Sequence, residues 1–132
     1  MALLATDTLR FSNTVKHEYE PAMAYCREVV TLNETAGATY PIGTVLGKVT
    51  ATGKYKQVEA TAVDGSQTAV AVTIEDVTVV AATDKKVQVL ARGPAMVSKA
   101  ALAFGASVDT APEFAAAYAQ LATVGILVQD TI

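Results

Sequence analysis

Between Val87 and Val97 the chain reads Val-Gln-Val-Leu-Ala-Arg-Gly-Pro-Ala-Met-Val. Apolar residues there alternate with small or polar ones as far as the Gly93-Pro94 break, which is the period-two pattern of a half-buried strand. Before this stretch the composition is strand-like, and after it helix-like. Upstream, residues 24–32 carry Tyr25, Val29, Val30 and Leu32 and read as a first strand, closed by a turn over 33–37. Residues 44–50 form a second, with Val45 and Val49 flanking Gly47, and Thr52-Gly53 turns the chain back into a strand over 54–63. Asp64-Gly65 predicts a hairpin, because both residues tolerate the positive φ of a primed turn. Residues 68–82 are the most strand-prone, with Ala69, Ala71 and Thr73 on one face and Val70, Val72 and Ile74 on the other. Glu75-Asp76 marks a bulge or turn before Val77, Val79 and Val80. Thr83, Asp84, Lys85 and Lys86 then form a charged tip between two valine-rich strands.

Past Val97 the period changes. Ser98 is placed to cap a short turn over 99–104 that Gly105 ends. A longer helix is better marked: Thr110 and Glu113 stand at capping-box spacing, Pro112 falls in the first turn, and Phe114, Tyr118 and Leu121 make one apolar face. Gly125 ends it, and Ile126-Leu127-Val128 closes the chain as a strand. Turns spaced about every dozen residues suit an antiparallel barrel or sandwich. The expected fold is therefore mainly β with one or two short helices near the C-terminus, an α+β chain built on a small β-barrel. Residues 1 to about 24 lack steady periodicity, and Pro21 and mixed charges mark them as a loosely held or partner-docked N-terminal arm. Residues 25–132 are then one β-rich domain, the usual size for a single core.

Composition narrows the partners. Hydrophobic residues make up 52% of the chain but aromatics only 6%, with no tryptophan, so the core is assembled from many small side chains. The formal net charge is -3. The only basic clusters, Lys54-Tyr55-Lys56 and Lys85-Lys86, are too short to line a phosphate-binding groove, which argues against nucleic acid as a partner. A lone cysteine, Cys26, cannot make an internal disulfide, so folding in a reducing cytoplasm is expected. Asp7 and Arg10 interrupt the apolar start and no basic region precedes it, so no signal peptide is expected. No apolar run approaches the roughly 20 residues of a membrane span.

Candidate chemistry is thin. Cys26 and His17 are the one thiol and imidazole in the chain, but catalysis would need them in contact with a third orienting group. Glu75, Asp76 and Asp64 repeat no ligand spacing, and adjacent strand residues such as Glu75 and Asp76 point to opposite faces. The segment 43–48 has Gly43 and Gly47 three residues apart and Val49 after Lys48, so it fails the phosphate-loop pattern. Asp84-Lys85 at a hairpin tip is similar to the modified-lysine hairpin of lipoyl carrier domains, which makes a carrier domain acylated at Lys85 the alternative reading; here Ala82-Thr83 replaces the usual preceding acid. No catalytic, cofactor-binding or metal site is expected.

The order of motifs carries more than any one of them. Pro41-Ile42-Gly43-Thr44-Val45-Leu46-Gly47, Thr52-Gly53-Lys54-Tyr55, Ala62-Val63-Asp64-Gly65 and then 87–97 follow one another in a way that resembles the head decoration proteins of lambda-like tailed phages, as does the close of the chain through its helix and Gly125-Ile126. The resemblance covers roughly residues 40 to 128. It implies a small β-tulip-like protein, made in the host cytoplasm, that forms a homotrimer on the outer surface of the expanded head in the virion. It implies the major capsid protein as partner, a shell stabilised against internal DNA pressure, and no enzymatic activity. The arm would become ordered on the shell. Leu9 and Phe11 are the expected capsid-binding residues, since an extended arm adds as a strand whose alternate side chains enter pockets.

Overall fold

A computed structural model describes residues 14–19 and 25–129. In chain order its elements are β1 (Val15–Glu18), β2 (Arg27–Leu32), β3 (Ala38–Tyr40), β4 (Val45–Lys48), β5 (Tyr55–Gln57), β6 (Ala69–Thr73), β7 (Val77–Val79), β8 (Lys85–Leu90) and β9 (Ala95–Ser98). A single 3-10 turn (Lys99–Ala101), helix α1 (Ala111–Thr123) and β10 (Ile126–Gln129) complete them.

Five strands close a barrel in the order β2-β5-β4-β6-β8. Its longest ladder joins β2 to β8 antiparallel, from Arg27 opposite Leu90 to Leu32 opposite Lys85. Its weakest seam is the parallel junction of β2 and β5, where Leu32 faces Tyr55 and the Asn33 N–H donates to the Tyr55 carbonyl at 3.0 Å. Side chains reinforce that seam. The Asp84 carboxylate accepts from the Asn33 amide at 2.7 Å and pairs with Lys54 at 3.0 Å, and these two partners, Lys54 first, hold its pKa below the usual carboxylate value.

The expected barrel is present, but its pairing is not the expected chain of hairpins. Asp64-Gly65 does not join two neighbouring strands, since β5 and β6 both flank β4. Instead Asp64 Oδ1 accepts from the Ser66 N–H (3.1 Å) and hydroxyl (2.6 Å), an Asx-type turn that local side-chain bonding favours. The loop it shapes crosses directly over β4: a Cβ on Gly47 would lie 2.3 Å from the Ser66 carbonyl oxygen. The strand expected over 54–63 ends at Gln57, and Val58 turns inward to donate its N–H to the Val45 carbonyl at 3.0 Å. Likewise β7 pairs with β3 rather than with β8.

Two apolar clusters result. One takes Val30, Leu32, Leu46, Ala71, Val87 and Val89 from the barrel strands, with Tyr55 packed against it, and is covered by Tyr40, Val77 and Val79 of the β3-β7 ribbon. The Tyr40 hydroxyl inside it donates to Glu34 at 2.5 Å and accepts the Gln57 N–H at 3.1 Å. The other lies on the opposite face of the same strands, where Val45, Val72 and Leu90 meet α1 and a three-stranded sheet. Here β9 is central, antiparallel to β1 and parallel to β10.

The predicted signals place α1 closely. Glu113 Oε1 accepts the Thr110 N–H (3.2 Å) and hydroxyl (2.8 Å), Pro112 lies in the first turn, and Gly125 with φ 90° follows the helix. Leu121 and Ala117 are buried; Phe114 and Tyr118 pack against Phe104 edge-on at 5.2 and 6.1 Å. The Gln120 side chain accepts the Ala69 N–H at 2.8 Å, fixing the helix to the start of β6. The expected turn over 99–104 shortens to three residues of 3-10 helix, with Ser98 extended and offering no side-chain cap.

Candidate interaction surface

Among the described residues the three-stranded sheet ends in the edge strands β1 and β10 and turns one face outward. Its register puts Val15, Val97 and Val128 in one row, His17, Met96 and Leu127 in the next, and Glu18, Ala95 and Ile126 in a third. The first and third rows face the core. The middle row faces out, with Leu127 46% exposed. Four residues of β1 can contribute two inward side chains three positions apart because the ladder slips between Val15 and His17, a bulge.

β1 is held at both ends. Thr14, just ahead of it, is fully buried, and its methyl lies 3.4 Å from where a Cβ on Gly43 would be. At the other end the Glu18 carboxylate, 4% exposed, receives Arg27 Nη2 at 2.5 Å and Nε at 3.1 Å. That pairing raises the Arg27 pKa above its ordinary value. Tyr19 continues the anchor: its N–H donates to the Pro94 carbonyl at 2.9 Å, and its ring meets Tyr25 edge-on at 5.5 Å. Arg92 sits over the Tyr25 ring, donates to the Tyr25 carbonyl at 2.5 Å and pairs with Glu28 at 3.2 Å. The strand that follows residues 1–13 is thus welded to the barrel through β2 and the β8-β9 turn.

The residues weighed for chemistry fall elsewhere and apart. Cys26 is fully buried, with Sγ 3.5 Å from both the Tyr19 and Pro94 carbonyl oxygens, whereas His17 is exposed on the sheet's outer face. Lys85 is not at a hairpin tip: it is the first residue of β8, paired with Leu32 of the neighbouring strand β2, and its neighbour Asp84 is occupied in the seam. Gly43 to Lys48 runs into β4 with no helix following. Asp76 accepts the Ile42 N–H at 2.8 Å, a backbone cap that spacing in the sequence did not indicate. Among the described residues no group of three His, Cys, Asp or Glu is placed to hold a metal ion. An open groove of about 330 Å³ beside α1 is lined by Val58, Ala60, Val108, Pro112, Ala116 and Ala117. Its one carboxylate, Glu113, is engaged in the helix cap. Leu9 and Phe11 lie outside the described residues.

The family model of bacteriophage lambda head decoration protein D matches residues 6–126, across every described strand up to β9 and onto the first residue of β10. The chain belongs to this head decoration family. A comparison with curated proteins finds no match. Family membership gives the chain a structural role on the phage capsid, in a family of capsid proteins rather than of enzymes. The span matched by the decoration family includes Leu9 and Phe11 as well as the Glu18–Arg27 anchor.

Proposed function

We propose that this decoration protein binds the outside of the expanded head as a homotrimer, contacts the major capsid protein, and stiffens the shell against the pressure of packaged DNA. The observation that carries the reading is the family match over residues 6–126, joined to a sheet whose edge strand leads straight back to the N-terminal residues. An arm docking through Leu9 and Phe11 would add backbone hydrogen bonds and seat alternate side chains. Three arms on one trimer make the second and third dockings intramolecular, so weak contacts sum to firm attachment. Each trimer then adds buried area across joints between capsid subunits.

Deleting residues 2–11 tests this, because the cut stops short of Thr14, which is buried, and of β1. The truncated protein should keep its melting temperature and its trimer mass by light scattering, yet fail to co-sediment with expanded heads. Co-sedimentation at the wild-type level would refute the arm's role. A monomer mass for the full-length protein on the head, by electron microscopy of decorated shells, would refute the trimer.

A further inference from the structure

β1 has an unusual way of holding its place. Register in a strand is ordinarily set by an alternating apolar face, so that a one-residue slip would turn the buried set outward. In β1 the burial runs buried, exposed, exposed, buried, and only Val15 supplies an apolar inward side chain. Among the described residues the strand lies at a sheet edge, laddered to β9 alone, and that ladder is already interrupted by the bulge. Backbone bonding alone gives four such residues little preference for one register.

Glu18 supplies what the pattern lacks. Each of its carboxylate oxygens takes one arm of the Arg27 fork, at 2.5 and 3.1 Å, with Glu18 buried and Arg27 partly exposed. Arg27 is the first residue of β2, opposite Leu90, so the partner belongs to the closed barrel and not to the sheet that contains β1. Bidentate guanidinium–carboxylate bonding tolerates little sliding. A slip of one residue moves Glu18 by about 3.3 Å and sends its side chain to the opposite face. Both bonds would break together.

We propose that the Glu18–Arg27 pair is a register lock. It fixes β1 against the barrel, and thereby the position of Thr14 and Val15, the first described residues of the chain. The lock stands on geometry alone; its consequence for attachment rests on the proposed arm. On the proposed reading an unlocked β1 would lengthen the arm, and effective concentration falls as a tether outgrows the span it must bridge.

Hydrogen–deuterium exchange on the full chain tests the lock, using Glu18→Gln, which removes the charge, and Arg27→Lys, which keeps the charge but removes the fork. In either variant, amides of residues 15–19 should exchange at least tenfold faster than in wild type, while residues 29–32 and 85–90 keep wild-type protection. Unchanged exchange over 15–19 in both variants would overturn the lock. So would equal acceleration across the barrel, or failure of both variants to fold, because the pair would then belong to the global core. Co-sedimentation of the same variants with expanded heads separates the two claims. Faster exchange with weaker head binding supports lock and arm together, and faster exchange with undiminished head binding supports the lock while removing the arm from attachment.

Discussion

The barrel and the three-stranded sheet share one face of packed side chains, yet they end in opposite ways. Each barrel strand has a neighbour on both sides, so the ring presents no strand edge. Among the described residues the sheet stops at β1 on one side and β10 on the other, and no described strand lies beside the outer row of N–H and C=O groups of either. Closure of this kind protects a β protein from unwanted pairing, and an open edge invites a partner strand. On the proposed reading the barrel supplies stability, and the sheet supplies a place where another chain's backbone can be added. β1, the first described strand, forms one of these edges, which is where the proposed arm would join the sheet.

The joint between the two regions is where the largest effect is expected. A Cβ on Gly93 would lie 1.9 Å from the Gly125 carbonyl oxygen, with backbone on both sides and no side chain able to give way. The same crossing carries the Gly93 N–H to Val124 bond (2.9 Å) and the Ala95 N–H to Gly125 bond (3.2 Å), which start β9 alongside β10. Gly93→Ala should therefore cost about 3 kcal/mol or more, at the upper end of overpacking effects. Urea denaturation would show it as a midpoint lowered for the whole chain, or as protein recovered only in the insoluble fraction. A variant of wild-type midpoint would mean that the regions are not rigidly joined here.

Inside the barrel, Leu46 is fully buried and Leu46→Ala should cost roughly 3 kcal/mol, from lost transfer energy and the cavity left behind. The same measurement applied to Tyr40→Phe should give about 1 to 3 kcal/mol, because Glu34 loses a donor and the Gln57 N–H an acceptor. Tyr40 also gives the barrel a pH signature. Burial, and after it the hydrogen bond to Glu34, raises its pKa above the ordinary tyrosine value of about 10. A raised pKa means that the folded state holds the proton more tightly, so this contribution is fully present below pH about 10 and is lost as pH climbs toward the folded value, at up to about 1.4 kcal/mol per pH unit. Tyr55 is shifted the same way by burial. Tyr40→Phe should therefore flatten, without abolishing, the fall in unfolding free energy measured between pH 10 and 11.

How far the sequence disclosed this division depends on whether the signal was local. The α1 signals at Thr110, Pro112, Glu113 and Gly125 act within one helical turn of the ends they mark, and the structure uses each of them. The alternation of Val87 and Val89 identified β8 for the same reason. Pairing was not legible, because the order β2-β5-β4-β6-β8 depends on residues far apart, and because Gly47 lets the Ser66 backbone pass over β4 where a hairpin was expected. β1 escaped notice since its bulge removes the period-two pattern from Val-Lys-His-Glu. The anchor at Glu18 and Arg27 was hidden too: they stand nine positions apart, and nothing in either neighbourhood marks the contact. Leu9 and Phe11 were reached only through the family resemblance, and they remain a proposal.

The smallest effect on stability should come from the sheet's outer face, and it is the one that tests the comparison most directly. Leu127 projects from β10 in the row with His17 and Met96, nearly half exposed, and its backbone belongs to the open edge. Replacing it with lysine removes little buried area, so Leu127→Lys should change unfolding free energy by less than about 0.5 kcal/mol, as surface substitutions generally do. A lysine on an edge strand is also a common device against strand addition. If the sheet is the adhesive region, this variant should bind expanded heads more weakly while melting as wild type does, the reverse of Leu46→Ala, which should lose stability yet bind normally once folded. Wild-type head binding by Leu127→Lys would assign the outer face and the β10 edge to solvent, and would leave β1 with the residues before it as the only route from this sheet to the capsid.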